Sequence, residues 1–412
     1  MMSQEKHDVV IVGGGLVGGL TALLLAKENI DVVVLDAAPL LDSTQVLEKM
    51  NSRVLALSQA TIHLLQIAGV WPHIERYEPY TAMHVWNKNG YGDIHFGHDS
   101  IDKPAETDWL GVMVEPSILN LAMQKTMLEK VKHYRTNVRV KHLEQRTDSW
   151  SITLANDGCL NTKLVIGADG ANSFVRQEAL IGLKVLDYKQ SAIGCAIQTN
   201  QPHHHVARQI FLPTGPLAYL PIKSPVSKED GYWQSIVWTL PTNICNEYMA
   251  LDEIAFADRL TKESLYMLGG VKVAKNRSCF PLKARAAEKY VMTGLALVGD
   301  AAHVIHPLAG QGVNIGCLDA AMLCDVLLTD IHRGAWANIQ TLRKYEHLRR
   351  HQNEAMMHSM SILGWLESSQ VYPLIWARSF GHKIAMSNSK LKDFFMYKAN
   401  GLESLRNTRY AK

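Results

Sequence analysis

Six residues near the start of the chain, Gly13-Gly14-Gly15-Leu16-Val17-Gly18, form a G-x-G-x-x-G run. That spacing suits the pyrophosphate of a dinucleotide. Gly13 permits a tight turn, Gly15 lets the backbone approach the phosphates, and Gly18 lets a helix pack closely on the preceding strand. Leu16 and Val17 lie in the same loop-to-helix turn, where free backbone N–H groups face the anion. Asp36 ends the next apolar run, about 20 residues further on. An acidic side chain there accepts from a ribose hydroxyl and repels a 2′-phosphate, which favours FAD or NAD over NADP.

Two further segments carry the same kind of chemistry. In Gly167-Ala168-Asp169-Gly170-Ala171-Asn172-Ser173, an apolar strand runs into an Asp-Gly turn. In Leu297-Val298-Gly299-Asp300-Ala301-Ala302-His303, another strand enters a Gly-Asp turn, and Pro307-Leu308-Ala309-Gly310-Gln311-Gly312-Val313-Asn314 follows.

These residues need a scaffold. Residues 8–12 and 31–35 read as buried strands flanking a helix over 16–27, a βαβ half-unit. Residues 53–69 read as one helix and 117–131 as another. Residues 87–97 and 139–154 suggest strands and turns, and 164–166 a short buried strand. From 188 to 281 the pattern is strand-rich, with runs at 193–197, 209–212, 217–222 and 235–240. A last buried strand covers 295–298, and the chain reads as helical from 312 to its end. The elements give an α/β fold class; with the family resemblance described next, they imply a Rossmann-type FAD-binding domain with an inserted β-rich substrate domain and a helical C-terminus. The expected division gives 1–80, 106–187 and 284–345 to the first domain, 81–105 and 188–283 to the second, and 346–412 to the C-terminal segment.

Taken in order, the three motifs resemble the fingerprints of aromatic-ring flavoprotein monooxygenases of the para-hydroxybenzoate hydroxylase fold. Residues 299–316, 167–173, 207–211 and 217–221 narrow the likeness to the ubiquinone-biosynthesis hydroxylases of the 2-octaprenylphenol hydroxylase type. It runs from about Asp8 to about Arg350; Asp36 stands where a Glu is more usual. The resemblance implies that Asp300 binds a ribityl or ribose hydroxyl of FAD and that Asp169 lies near the pyrophosphate and serves cofactor and NAD(P)H handling. Gly310, Gln311, Gly312, Val313 and Asn314 offer backbone N–H groups to the flavin pyrimidine, with Pro307 over the isoalloxazine. Arg53, heading its helix, sits beside the FAD phosphates, and Glu115 faces the ribityl or adenosine end. His303 and His306 are near the flavin by motif, with a structural or pyrophosphate-side role favoured; no catalytic base is assigned.

The implied reaction is hydroxylation of a polyprenylated phenol in ubiquinone biosynthesis, the C5 step favoured. NAD(P)H visits transiently to reduce the flavin, O2 gives a flavin hydroperoxide, and water exclusion keeps that species from decaying to H2O2. A related flavoprotein acting on another apolar substrate, such as a halogenase or prenyl reductase, and a non-catalytic flavin-binding scaffold are the alternatives. Residues 232–238 lack the halogenase Trp-x-Trp-x-Ile-Pro signature.

Composition narrows the partners. A net charge of +3 without a dense basic block argues against nucleic acid. The apolar runs read as too short to span a bilayer, and the polar N-terminus gives no secretory signal. The expected location is cytoplasmic, at the periphery of the inner membrane or in a membrane-bound biosynthetic complex; association with further copies of the chain is left open. Residues 356–386, with Trp365, Trp376 and Phe380 near Arg378, His382 and Lys383, offer a membrane-facing surface, or else core cover. His203, His204 and His205 read as a polar loop, without a second ligand cluster nearby, and no metal is expected. The six cysteines read as free, mostly buried thiols with no close pair.

None of the motifs provides a covalent flavin link. Acid precipitation of the purified protein should therefore release its flavin intact, as FAD. Recovery of FMN, or of folded protein without flavin, would contradict the reading of all three motifs.

Overall fold

In a computed structural model of the chain, the described residues are 5–88, 93–97, 106–223, 232–305, 310–331, 333, 337–368 and 400–411. The chain begins with strand Glu5–Val12 (β1), helix Leu16–Ala26 (α1) and strand Val32–Leu35 (β2). β1 and β2 pair in parallel, Val10 opposite Val33. Val9, Val10 and Ile11 are wholly buried. Helices cover both faces of such a sheet, so its strands read as continuous apolar runs.

Ser43–Glu48 (α2) follows, capped by Asp42, and then Leu55–Ser58 (β3) and Gln59–Ala68 (α3). This corrects the reading of 53–69 as one helix, and with it the expectation that Arg53 heads that helix. Ile62, Leu65 and Ala68 do share the buried helix face, but Leu57 lies on β3. There it pairs with Val112, a partner too distant in sequence to register in local spacing. Arg53 lies in the coil before β3, and Ser58 caps α3.

Next come Glu78–Tyr80 (β4), Ala82–Asn87 (β5), Asp93–Gly97 (β6) and Gly111–Val114 (β7). β3, β7 and β4 form a small three-stranded sheet. Pro116–Lys130 (α4), His133–Arg135 (β8), Val140–Gln145 (β9), Trp150–Leu154 (β10), Cys159–Gly167 (β11) and Phe174–Glu178 (α5) return the chain to the first sheet.

Leu183–Thr199 (β12), Val206–Leu212 (β13), Gly215–Pro221 (β14) and Tyr232–Pro241 (β15) build a second sheet. Two helices that the strand-rich reading missed, Thr242–Ala250 (α6) and Glu253–Glu263 (α7), precede Val271–Ala287 (β16). The Asp252 side chain accepts from Ala255 N–H at 2.7 Å and so caps α7. Val291–Met292 (β17), Leu295–Leu297 (β18), His303–Val304 (β19), Gly312–Ile331 (α8), Ile339–Ser368 (α9) and Leu402–Leu405 (α10) complete the described elements.

The first sheet has the order β17-β18-β11-β1-β2-β8, with β10 pairing β11 and β9 pairing β10; the second runs β19-β16-β12-β15-β14-β13-β5-β6. The protein is thus an α/β fold whose Rossmann-type sheet is joined to a β-rich insertion. The divisions expected at 187/188 and 283/284 fall inside β12 and β16, and the one at 345/346 inside α9. Residues on both sides of that last division bind the first sheet's half: the Tyr345 hydroxyl donates to Leu297 O at 2.8 Å, and Arg349 reaches α8.

α8 qualifies the reading that every apolar run is too short to span a bilayer. Its 20 residues have a mean hydropathy of 1.5, enough to cross one by length and composition, yet its apolar stretch is 78% buried within the fold. It packs between α1 and α9 and carries a fully buried carboxylate, Asp319. Asp319 Oδ1 accepts from Arg349 Nε at 2.7 Å and Asn353 Nδ2 at 3.2 Å; Oδ2 accepts from His303 Nε2 at 2.5 Å and Gly299 N–H at 3.1 Å. Burial alone would raise this carboxyl. The charges and hydrogen bonds of His303 and Arg349 outweigh it and hold the group well below the usual carboxylate range.

Replacing Asp319 by Asn should leave Arg349 buried without its counter-charge and destabilise the fold by about 3–5 kcal/mol at neutral pH. Because the folded-state pKa is depressed, wild type holds this contribution above about pH 4 and loses it as pH falls further, so the gap between the two proteins should narrow in acid. Denaturant unfolding of both proteins at several pH values measures it.

Candidate active site

The glycine loop sits where β1 meets α1, and its backbone dictates its residues. Gly13 has φ +104°, and a Cβ there would collide with Ala168 O. A Cβ on Gly18 would collide with Gly13 O and come within 3.0 Å of the Ala168 Cβ, so the helix lies directly on the loop. Gly15 is different: nothing lies within 4 Å of where its Cβ would be. Gly15 is also the N-cap of α1 and supplies no side-chain cap. The loop therefore leaves open space in front of uncapped helix N–H groups, where an anion can approach.

The three motifs meet at this point. Ala168 N–H donates to Val12 O at 2.8 Å, joining the second to the first. A Cβ on Gly299 or Gly316 would press on the Val17 side chain at 3.1 and 2.8 Å, so those glycines admit Val17 between them and join the third. Leu16 is buried under the helix start. Asp36 lies across the loop from Gly14, and its Oδ1 accepts from Ala38 N–H at 2.9 Å. Asp169 Oδ2 accepts from Val175 N–H at 3.0 Å, while its buried Oδ1 has no donor among the described residues.

Asp300 has an accessible side chain with protein packed close beside it. That crowding raises its carboxyl, against the lowering charges of His303, Arg53 and Arg285. Arg53 thus lies near enough to Asp300 for its charge to act on the carboxyl. It lies over Phe280 of β16, 4.5 Å from the ring centroid. An open Gly15, an orphaned acceptor on Asp169 and an arginine whose charge reaches Asp300 together fit the phosphates and hydroxyls of FAD.

The third motif is anchored mainly through one side chain. Asn314 Oδ1 accepts from Ser58 N–H at 2.9 Å and the Thr61 hydroxyl at 2.8 Å, and its Nδ2 donates to Ala56 O at 2.8 Å. Gln311, Gly312 and Val313 lead into α8 from Gly310, where an added Cβ would come 3.4 Å from that of Ala56. Pro307 and His306 lie outside the described residues.

Glu115 is held by the protein itself. Oε1 accepts from Asn51 N–H at 2.7 Å, and Oε2 pairs with Arg76, whose other donors reach Leu47 O and Lys49 O. Burial raises the Glu115 carboxyl despite these partners. The pair fixes the 47–51 segment, a task with no sequence signal because Arg76 and Glu115 are 39 positions apart.

Beside Gly310, an apolar cluster forms from Tyr80, Met113 and Ala207, with Val54, Ala56, Met83, Leu110 and Leu220 against it. It brings the small sheet onto β13 and β14. The histidine loop also gains a partner that the sequence did not reveal: His205 Nδ1 lies 2.9 Å from Glu78 Oε1, and candidate ligand atoms of Glu78, His203 and His205 lie within 4.8 Å of one another. Burial raises Glu78 to about 7 and lowers His203 to about 3.

Residues 6–360 match the FAD binding domain family. The chain is 33% identical to 3-demethoxyubiquinol 3-hydroxylase of Escherichia coli (strain K12), over 97% of this chain and 100% of that one. It is 33% identical to ubiquinone hydroxylase UbiL of Rhodospirillum rubrum, over 97% and 90%. It is 31% identical to the mitochondrial ubiquinone biosynthesis monooxygenase COQ6 of Homo sapiens, over 95% and 92%.

The chain belongs to the FAD-dependent ubiquinone-biosynthesis hydroxylases.

Solved structures agree on the fold of this hydroxylase. The p-nitrophenol 4-monooxygenase PnpA of Pseudomonas putida DLL-E4 superposes with a TM-score of 0.76 at 20% identity, covering 98% of this chain and 100% of its own. PqsL of Pseudomonas aeruginosa, in complex with 2-aminobenzoylacetate, gives 0.72 at 21%, covering 92% and 100%. The hydroxylase is an FAD-dependent monooxygenase, and NAD(P)H is the reductant typical of its class.

The two loop glycines should respond differently to substitution. Gly15→Val has room in the protein alone, so it should fold with near-normal melting of the apoprotein and bind little FAD. Gly18→Ala strains helix against loop and should cost about 1–3 kcal/mol of stability in the apoprotein as well. Asp300→Ala should keep the fold and weaken FAD binding by roughly 10–100-fold, the loss of a hydrogen bond to a charged group. Flavin content together with apoprotein melting separates the three outcomes.

Proposed function

We propose that this hydroxylase inserts one oxygen atom of O2 into the aromatic ring of a polyprenylated phenol. The second oxygen leaves as water, and NAD(P)H supplies the electron pair. The apolar cluster of Tyr80, Met113 and Ala207 beside Gly310 carries this reading, because it sets an apolar wall next to the loop expected to hold the flavin ring. When bound, FAD supplies the oxygen-activating redox chemistry. The chain's own part is to hold it and to exclude water. The Gly13–Gly18 loop and Asp36 would receive the pyrophosphate and a ribose, Arg53 would sit beside the phosphates, Asp300 would take a hydroxyl, and Asp169 would offer its unpaired oxygen. The backbone N–H groups of 310–314, held in place by Asn314, would serve the pyrimidine ring of the flavin, where a positive helix end would stabilise negative charge.

The likeness at 207–211 favours the C5 position of the ring. The E. coli relative's name, a demethoxyubiquinol hydroxylase, supports a second reading at a different position. Deleting the gene in its host and identifying the accumulated intermediate by mass spectrometry distinguishes them: a prenylphenol unmodified at C5 supports the first, and a demethoxyubiquinol the second. Normal ubiquinone levels with no prenylated intermediate would remove both. The purified enzyme should oxidise NAD(P)H faster when a short-chain prenylphenol is added.

A polyprenyl tail partitions into lipid, so the enzyme works at the membrane periphery. Residues 356–386 are the proposed contact; Met356 and Met357 are half-buried, and most of the segment lies outside the described residues. Wild type should float with anionic liposomes, and Trp376→Ser and Phe380→Ser variants that retain FAD should float less. Equal flotation of the variants would exclude this segment as the anchor.

A further inference from the structure

The cysteines were expected to include no close pair, but folding brings two together. Cys245 on α6 and Cys279 on β16 are 34 positions apart in sequence, and their Sγ atoms lie 2.6 Å apart. The remaining four cysteines have no cysteine partner among the described residues. The pair sits on the outer side of the second sheet. Cys279 pairs in register with Ile193, which belongs to the apolar core packed under α6 and α7, and Cys245 lies in the same core. The next residue, Phe280, points to the opposite side and carries Arg53. Arg277 already ties the same two elements, donating to Tyr248 O at 3.2 Å and Leu251 O at 2.6 Å at the end of α6. The backbone around the two sulfurs is therefore held in place.

The two thiols differ in a way that assigns their roles. Cys279 is exposed and Cys245 is buried. Burial, with the neighbouring Cys279 thiol adding to it, pushes the Cys245 thiol up to about 12, so it rests protonated. An oxidant in solution meets Cys279 first.

We propose that Cys245 and Cys279 form a reversible redox pair that closes into a disulfide joining α6 to β16 when the enzyme meets hydrogen peroxide. Peroxide is the product of any flavin monooxygenase turnover that fails to reach its substrate. The Cys279 sulfur attacks it, breaking the O–O bond to give a sulfenic acid and one water. The Cys245 sulfur then displaces the sulfenic hydroxyl, its own proton leaving with that hydroxyl as a second water. Two sulfurs lose one electron each, and one peroxide gains two. A dithiol reductant reverses the bond by exchange.

The test uses the purified holoenzyme, reduced, desalted and exposed to low-molar-excess hydrogen peroxide, then alkylated in denaturant and mapped without reductant. Two of the six thiols should disappear, with one linked peptide pair containing Cys245 and Cys279, and dithiothreitol should restore all six. The oxidised protein should melt roughly 3–8 °C higher, because the bond closes a loop of 35 residues. Cys245→Ser should instead accumulate a dimedone-reactive sulfenic acid at Cys279, and Cys279→Ser should leave Cys245 a thiol. The proposal is overturned if wild type keeps six thiols at a peroxide dose that oxidises Cys279 in the Cys245→Ser variant. A Cys279 oxidised to the sulfinic acid beside a free Cys245, or a link through another cysteine, overturns it equally.

Discussion

Asp319 is a carboxylate with no solvent exposure, and the cofactor half of the molecule is assembled around it. Taking a charge out of water costs several kcal/mol, and only close opposite charge and hydrogen bonds offset it. Four donors meet Asp319: the Gly299 backbone from the third motif, His303 just after it, and Arg349 and Asn353 from α9. The turn that carries Asp300 cannot shift without unpairing a buried ion. The same network explains why α8, apolar enough to cross a membrane, is a core helix here. Among the described residues its carboxylate is satisfied by α9 on one side and by the Gly299 turn and His303 on the other.

From that anchor, short-range sterics fix the cofactor loop. Gly13, Gly18, Gly299 and Gly316 have neighbours where a Cβ would stand, whereas Gly15 has open space. Four glycines thus serve the packing of protein on protein, and one serves the approach of a ligand. Val17 is the point at which the first and third motifs touch. Asn314 extends the assembly by binding β3 and α3, and so sets the flavin-facing loop against the small sheet that carries Tyr80 and Met113.

The second sheet is asymmetric in a way that matches the division of labour. Its outer face, with Ile193, Tyr219, Ile236 and Trp238, is sealed by α6 and α7 into a separate apolar core. Its inner face carries Gly194, Ser278 and Phe280 toward Arg53, and Ala196, Ile222 and Trp233 toward Met50 and Val54. A sheet with a rigid back can present small and aromatic groups to a cleft without losing its own stability. The inner face joins the first half through the 50–54 segment, where the Ser235 hydroxyl donates to Ser52 O at 2.8 Å and Arg53 covers Phe280.

The sequence by itself determined the features that depend on local backbone demands. The G-x-G-x-x-G run, the Asp-Gly and Gly-Asp turns and the buried parallel strands are short-range patterns, because a tight turn needs glycine and a doubly covered strand needs uninterrupted apolar residues. Their order along the chain was enough to identify the cofactor and the family. Tertiary structure decided whatever depends on partners distant in sequence. Leu57 had helical spacing and became a strand because Val112 pairs with it across 55 residues. Glu115 found Arg76, Glu78 found His205, and Cys245 found Cys279, none of them linked by any spacing rule. No spacing pattern singles out Asp319 on its helix, and the approach of α9, His303 and the Gly299 turn makes it the buried charge that those elements must satisfy.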